Sequence, residues 1–175
     1  MSDDVFDGLA GVVPVAIATA GVRGRAAAGG PRSDRPLSKD DVDLLAGVPL
    51  FAGLSRRHLR RMAERADVTS FRDREFIVKQ DQPGGTFYVV LEGEARVLQN
   101  DRTIGTLGPG DFFGEISLLD GGPRTADVVA TTPVAAIRIF KKAFDRMVVE
   151  EPGVAAKILA VVARRLRDAE RSFRS

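Results

Sequence analysis

A carboxylate and a guanidinium stand nine positions apart in the run Phe113-Gly114-Glu115-Ile116-Ser117-Leu118-Leu119-Asp120-Gly121-Gly122-Pro123-Arg124-Thr125-Ala126. Glu115 supplies an acceptor suited to a sugar hydroxyl, and Arg124 a planar, permanently charged fork that matches two phosphate oxygens. Gly114 lets a ligand approach the backbone closely. A short helix opening at Glu115 would turn the N–H groups of Ile116 and Ser117 toward the same anion, with the Ala126 N–H arriving from the following strand. Thr125 adds a hydroxyl that can donate or accept. Taken alone, Glu115 and Arg124 would make an ordinary surface ion pair. Gly114, the Gly121-Gly122-Pro123 bend and the Thr-Ala after the arginine instead agree on one pocket for a sugar phosphate.

These residues need a framework of tight turns. Between Asp67 and Ile139 the apolar pattern is short, alternating and β-branched, and it is punctuated at Pro83-Gly84-Gly85, Gly93, Gly105, Gly108-Pro109-Gly110 and Gly121-Gly122-Pro123. The pattern predicts antiparallel strands, with Phe76, Val78, Phe87, Val89, Leu91, Ala95 and Val97 facing inward and Lys79 and Arg96 outward. Ile137 and Ile139 are expected to close a β-roll of jelly-roll type. Ahead of it, Ser38 and Ser55 each read as the cap of a short helix. In the second of these, Leu59, Met62, Ala63 and Ala66 form the apolar face, while His58 and the arginines lie in solvent. After Phe140 a helix is predicted over 141–150, and another from about Val154. In that last helix Ile158, Val162, Leu166, Ala169 and Phe173 make one stripe that needs a partner. The fold class is therefore mainly β with flanking helices: an antiparallel β-roll, N-terminal helices and a C-terminal helical pair.

The run from Phe113 to Ala126 closely resembles the phosphate-binding cassette of the cyclic nucleotide-binding domain family. Val48-Pro49-Leu50-Phe51-Ala52-Gly53-Leu54 and Gly108-Pro109-Gly110-Asp111-Phe112 resemble further family segments. The resemblance implies a domain over 38–175, comprising helices over 38–66, the roll over 67–140 and C-terminal helices over 141–175. It implies a binding protein, not an enzyme, whose ligand is cAMP, with cGMP as the alternative, and which needs no other cofactor. Gly114 and Glu115 would serve the ribose, Arg124 and Ala126 the phosphate, and Thr125 the phosphate or the base. Leu166 and Phe173 are candidate lids over the base. Asp127 departs from the family pattern, and regular alternation would place its charge on the same face as Thr125. The partners implied are a cyclic nucleotide, a protein effector of unspecified kind and a second copy of the chain through the last helix. A nucleotide-independent dimerisation protein is the competing reading.

Composition narrows the alternatives. The 26 basic and 24 acidic side chains leave a formal net charge of +2, which gives little reason to expect nucleic acid or an anionic membrane. The chain has no cysteine and one histidine, His58, so thiolate catalysis, disulfides and histidine metal clusters are excluded. No nucleophile–base pair or Walker loop is recognisable. The apolar stretch from Leu9 to Val22 follows an acidic start, unlike a secretory leader, and is broken by Gly11, Pro14 and Gly21. Residues 1–37 are expected to be a flexible tail and the protein cytoplasmic. The chain reaches Ser175 soon after the roll, so a helix-turn-helix is not expected.

Overall fold

Two capped helices lead into the sheet structure. Ser38 accepts from the Asp41 N–H and its own N–H is held by the Asp41 carboxylate, a capping box that starts α1 (Lys39–Gly47). Ser55 accepts from the His58 N–H and starts α2 (Arg56–Ala63). Both caps lie where the sequence places them. α2 ends before Ala66, which belongs to the next strand, so its buried face is Leu59 and Met62. The computed structural model describes residues 34–48 and 51–173.

The strands are β1 (Arg35–Pro36), β2 (Ala66–Phe71), β3 (Phe76–Val78), β4 (Thr86–Glu92), β5 (Ala95–Gln99), β6 (Arg102–Leu107), β7 (Phe112–Phe113), β8 (Asp127–Ala130) and β9 (Val134–Phe140). Among the described residues they form a sheet of order β1-β2-β9-β4-β7 and a second of order β3-β8-β5-β6, with antiparallel pairing throughout. A six-residue helix, α3 (Glu115–Asp120), lies between β7 and β8, and α4 (Lys141–Glu150) and α5 (Pro152–Phe173) follow the roll. Pro152 begins α5, where its missing N–H costs nothing.

Two apolar clusters organise this architecture. One lies between the two sheets and takes Tyr88, Val90, Val97, Leu107, Val134 and Ala136. The other lies between the first sheet and the helices, and takes Phe51, Leu59, Phe87, Val89, Phe144 and Ile158. β4 and β9 are therefore buried on both faces, one parity of side chains in each cluster. Ile137 and Ile139 belong to the helix-side cluster; it is Val134 and Ala136 that face the interior of the roll. The same parity holds for Phe87, Val89 and Leu91, which face the helices, while Ala95 and Val97 lie between the sheets.

Three expectations need correction. Phe76 is 44% exposed, and Ile77 takes the inward place, because the pairing of β3 with β8 shifts register between Phe76 and Val78. Phe76 instead carries the Lys79 ammonium 4.9 Å above its ring. His58 is not a free surface residue, since its Nδ1 lies 2.5 Å from Glu151 Oε1 at the junction of α4 and α5. The tail read as 1–37 overlaps ordered structure: Arg35 and Pro36 pair with Val68 and Asp67. Arg35 also forks onto Asp41, and Asp34 is held by Arg138, which grips Asp67 as well. The apolar stretch 9–22 lies outside the described residues.

Candidate functional site

The cassette is built from two left-handed glycines and a bridge. Gly114, at φ 89°, turns β7 into α3, and Gly121, at φ 72°, ends that helix. A Cβ on Gly114 would lie 2.6 Å from both the Thr86 carbonyl oxygen and an Arg124 nitrogen, so only glycine fits. Pro123 then bridges to Pro83, while the Arg124 N–H donates to the Gln82 carbonyl and the Arg124 carbonyl accepts from the Asp81 N–H. The loop before β4 thus holds the chain on both sides of Arg124. Gly84 packs so tightly on Ser117 that an added Cβ would sit 2.3 Å from the Ser117 Cβ.

All seven residues singled out from the sequence, Gly114, Glu115, Ile116, Ser117, Arg124, Thr125 and Ala126, line one cleft, with an apolar wall from Val78, Val97 and Leu107. Glu115 is 1% and Arg124 5% exposed. Arg124 is held by protein acceptors: one terminal nitrogen donates to the carbonyl and the hydroxyl of Thr86, each at 2.8 Å, and the other to the Gly114 carbonyl at 3.2 Å. Burial lowers the guanidinium from its usual value and Tyr88 opposes this; the group starts so far above neutrality that it keeps its charge. Ser117 donates to the Pro123 carbonyl, which staples α3 to the bend. With six residues, α3 offers local N–H groups and little helix dipole.

Sequence reasoning did not single out Thr86 or Gln99. Gln99 is buried and its amide donates to the Thr125 carbonyl at 3.2 Å, fixing the strand that carries Thr125. Both partnerships span distant segments, and only the Gly84-Gly85 pair ahead of Thr86 hinted at a close approach there. Asp127 does not line the cleft; its carboxylate accepts from the Gln80 N–H at 2.7 Å. Leu166 does not line it either, and the Phe173 side chain lies outside the described residues.

The cleft holds a hollow of about 40 Å³, small beside the several hundred Å³ typical of a nucleotide-sized site. Larger hollows lie elsewhere, about 650 Å³ beside Arg35 and α2 and about 270 Å³ between α2 and α4, each with mixed charges on its rim. Neither gathers a buried cation, a buried carboxylate and close-approach glycines, so size does not nominate the site here.

The profile of the family described as "Cyclic nucleotide-binding domain" matches residues 68–151, a span that contains the whole cassette. Residues 68–151 belong to the cyclic nucleotide-binding domain family. Such domains take a cyclic nucleotide as ligand and need no cofactor. The CRP-like cAMP-activated global transcriptional regulator of Mycobacterium tuberculosis (strain CDC 1551 / Oshkosh) is 25% identical over 130 residues, which cover 71% of this chain and 58% of the regulator. The crystal structure of Thermus thermophilus Catabolite Activator Protein superposes with a TM-score of 0.66 at 32% identity, covering 71% of this chain and 61% of that one. The regulatory subunit of a cAMP-independent protein kinase A from Trypanosoma cruzi bound to guanosine gives 0.62 at 26% identity, with 68% and 43% covered. The chain thus spans about three fifths, or less, of these relatives. The antiparallel roll with flanking helices is the fold of the cyclic nucleotide-binding domain. Among the described residues, no helix is long and apolar enough to cross a membrane.

Proposed function

We propose that this chain is a regulatory sensor that binds a 3′,5′-cyclic nucleotide, cAMP by first preference, and converts binding into movement of α4 and α5. The observation that carries this reading is the convergence of the buried Glu115 and Arg124 with Gly114, Ser117, Thr125 and Ala126 on one cleft. Arg124 is the receptor for the cyclic phosphate, Glu115 for the ribose hydroxyl, and Thr125 for the phosphate or the base. On binding, Arg124 exchanges some of its protein acceptors, Thr86 and Gly114, for phosphate oxygens. Chemistry is not part of the role. The relatives named above are regulators, and the output of this chain is a protein effector or a second copy meeting α5, in the cytoplasm.

A second reading has its own support: Arg124 is already satisfied by Thr86 and Gly114, which suits a nucleoside without phosphate, as in the guanosine-bound relative. Titration calorimetry with cAMP, cGMP and guanosine, on wild type and Arg124→Ala, decides between them. The sensor reading expects cAMP binding that disappears in the variant. Guanosine binding that survives in Arg124→Ala selects the nucleoside, and no heat with any of the three rejects both in favour of a nucleotide-independent interaction protein.

A further inference from the structure

The cassette runs into β8, and its last two residues precede the first paired position of that strand. β5 pairs with β8 from Leu98↔Asp127 onward, so Thr125 and Ala126, which both line the cleft, lie just beyond the ladder. A side chain extends it. Gln99 follows Leu98 on β5, and its amide nitrogen donates to the Thr125 carbonyl at 3.2 Å. The buried positions of β5 are Ala95, Val97 and Gln99, and the first two belong to the apolar cluster between the sheets. Gln99 thus puts an amide where strand alternation calls for an apolar residue, a burial that is unfavourable unless the amide is hydrogen-bonded. The surroundings hold it in place. β3 and β5 are the two neighbours of β8, and past their ends Gln80 and Asn100 clasp each other. Gln80 Nε2 donates to Asn100 Oδ1 and the Asn100 N–H to Gln80 Oε1, each at 3.0 Å. The Gln80 N–H donates in turn to the Asp127 carboxylate at 2.7 Å, so the start of β8 is fixed from both sides.

The bond from Gln99 acts on a whole peptide unit. Among the described residues no peptide is cis, so the Thr125 carbonyl and the Ala126 N–H point in opposite directions across one rigid plane. The carbonyl is turned to Gln99, which does not line the cleft, and the N–H is directed the other way on a residue that does. A donor on the carbonyl also polarises the amide and makes its N–H a stronger donor. We propose that Gln99 is a positioning residue for the ligand's phosphate: by holding the Thr125 carbonyl it aims and strengthens the Ala126 N–H as an anion donor in the cleft that Arg124 lines. Gln99 acts through that peptide and does not touch the ligand. The inference rests on the sensor reading and deepens it. An aliphatic side chain at this position would take the bond away and leave the peptide plane free to turn about the dihedrals on either side of it.

The test is calorimetric titration of the full chain with cAMP, together with amide NMR, on wild type, Gln99→Met and Gln99→Leu. Both variants put an apolar side chain at a buried strand position, and neither can donate to Thr125. In wild type, cAMP should move the Ala126 amide proton downfield, as a hydrogen bond to a phosphate does. In either variant the affinity should fall about ten-fold and the Ala126 displacement should shrink, while the Gly114 and Ser117 amides respond as in wild type. Affinity within about two-fold of wild type in both variants, or an unchanged Ala126 displacement, overturns the proposal. So does an equal loss of the Gly114 and Ser117 responses, which would make Gln99 a plain packing residue. If wild type shows neither heat nor shift with cAMP, the sensor reading falls and the inference with it. A responding wild type whose variants match it sinks the inference alone.

Discussion

Strands β4 and β9 and the cassette over 113–126 bury their central side chains by opposite means. The strands place Phe87, Val89, Ile137 and Ile139 in one apolar cluster and Tyr88, Val90, Val134 and Ala136 in the other. Each contact there is weak and non-directional, and the sum is large. The cassette buries a carboxylate and a guanidinium, and it is shaped by a few bonds from Arg124, Ser117 and the 81–86 loop. Removing atoms from the strands costs stability in proportion to the hole left behind. Removing one partner in the cassette strands a buried polar group, and on the sensor reading its cost falls on recognition before stability.

Substitutions should separate the two regions. Phe87→Ala, at a side chain in contact with Phe112 and Phe144, should cost about 3–5 kcal/mol in denaturant unfolding while the folded fraction keeps its nucleotide affinity within about two-fold. A large loss of affinity at that position would erase the distinction. Arg124→Ala should cost about 2–5 kcal/mol of cyclic nucleotide affinity, some thirty-fold to several thousand-fold by calorimetry. Arg124→Lys should not restore it, because an ammonium cannot reach Thr86 and Gly114 together and still fork onto a phosphate.

Gly84→Ala tests the seam between the regions. Its Cβ would collide with that of Ser117, and overpacking of this kind costs about 1–3 kcal/mol. Adding Ser117→Gly should recover a large part of the loss, so a double-mutant cycle that came out additive would place the strain elsewhere. The smallest effect concerns Asp41. Burial by itself would raise its carboxyl, but the bonds from Arg35 and Ser38 outweigh burial and hold it below its usual value. A carboxyl depressed in the folded state contributes stability that is complete above its unfolded value, near pH ~4, and is lost as pH falls through the lower folded value. Asp41→Asn should cost about 1 kcal/mol at neutral pH, with a shallower decline of stability below pH ~4 than in wild type.

The cassette was legible in the sequence because it is contiguous: glycine, acid, bend and arginine lie within one stretch, and their chemistry needs no distant partner to be recognised. The helix starts at Ser38 and Ser55 and the span of α4 were legible for the same local reason. Thr86 and Gln99 were not, since they meet the cassette across 38 and 26 positions and only through strand register. Register also explains the error at β3, where a shift in pairing exchanged Phe76 for Ile77. The inward face of β9 was misjudged because a strand buried on both sides has no polar face to betray its orientation. The bonds that hold the Arg124 guanidinium depend on a strand pairing that no spacing encodes.

The short strand β1 bears on how this protein behaves in a tube. It covers part of the open border of the first sheet, with a proline that has no N–H to offer a neighbour and an arginine already engaged by Asp41. A fragment trimmed to begin at Ser38, the boundary that composition suggests, would uncover the backbone of β2 at Asp67 and Val68 and release Arg138 from one of its two carboxylates. Unpaired strand borders recruit other chains. Such a fragment should therefore precipitate or form mixed oligomers at concentrations where the chain retaining Asp34–Leu37 stays dispersed.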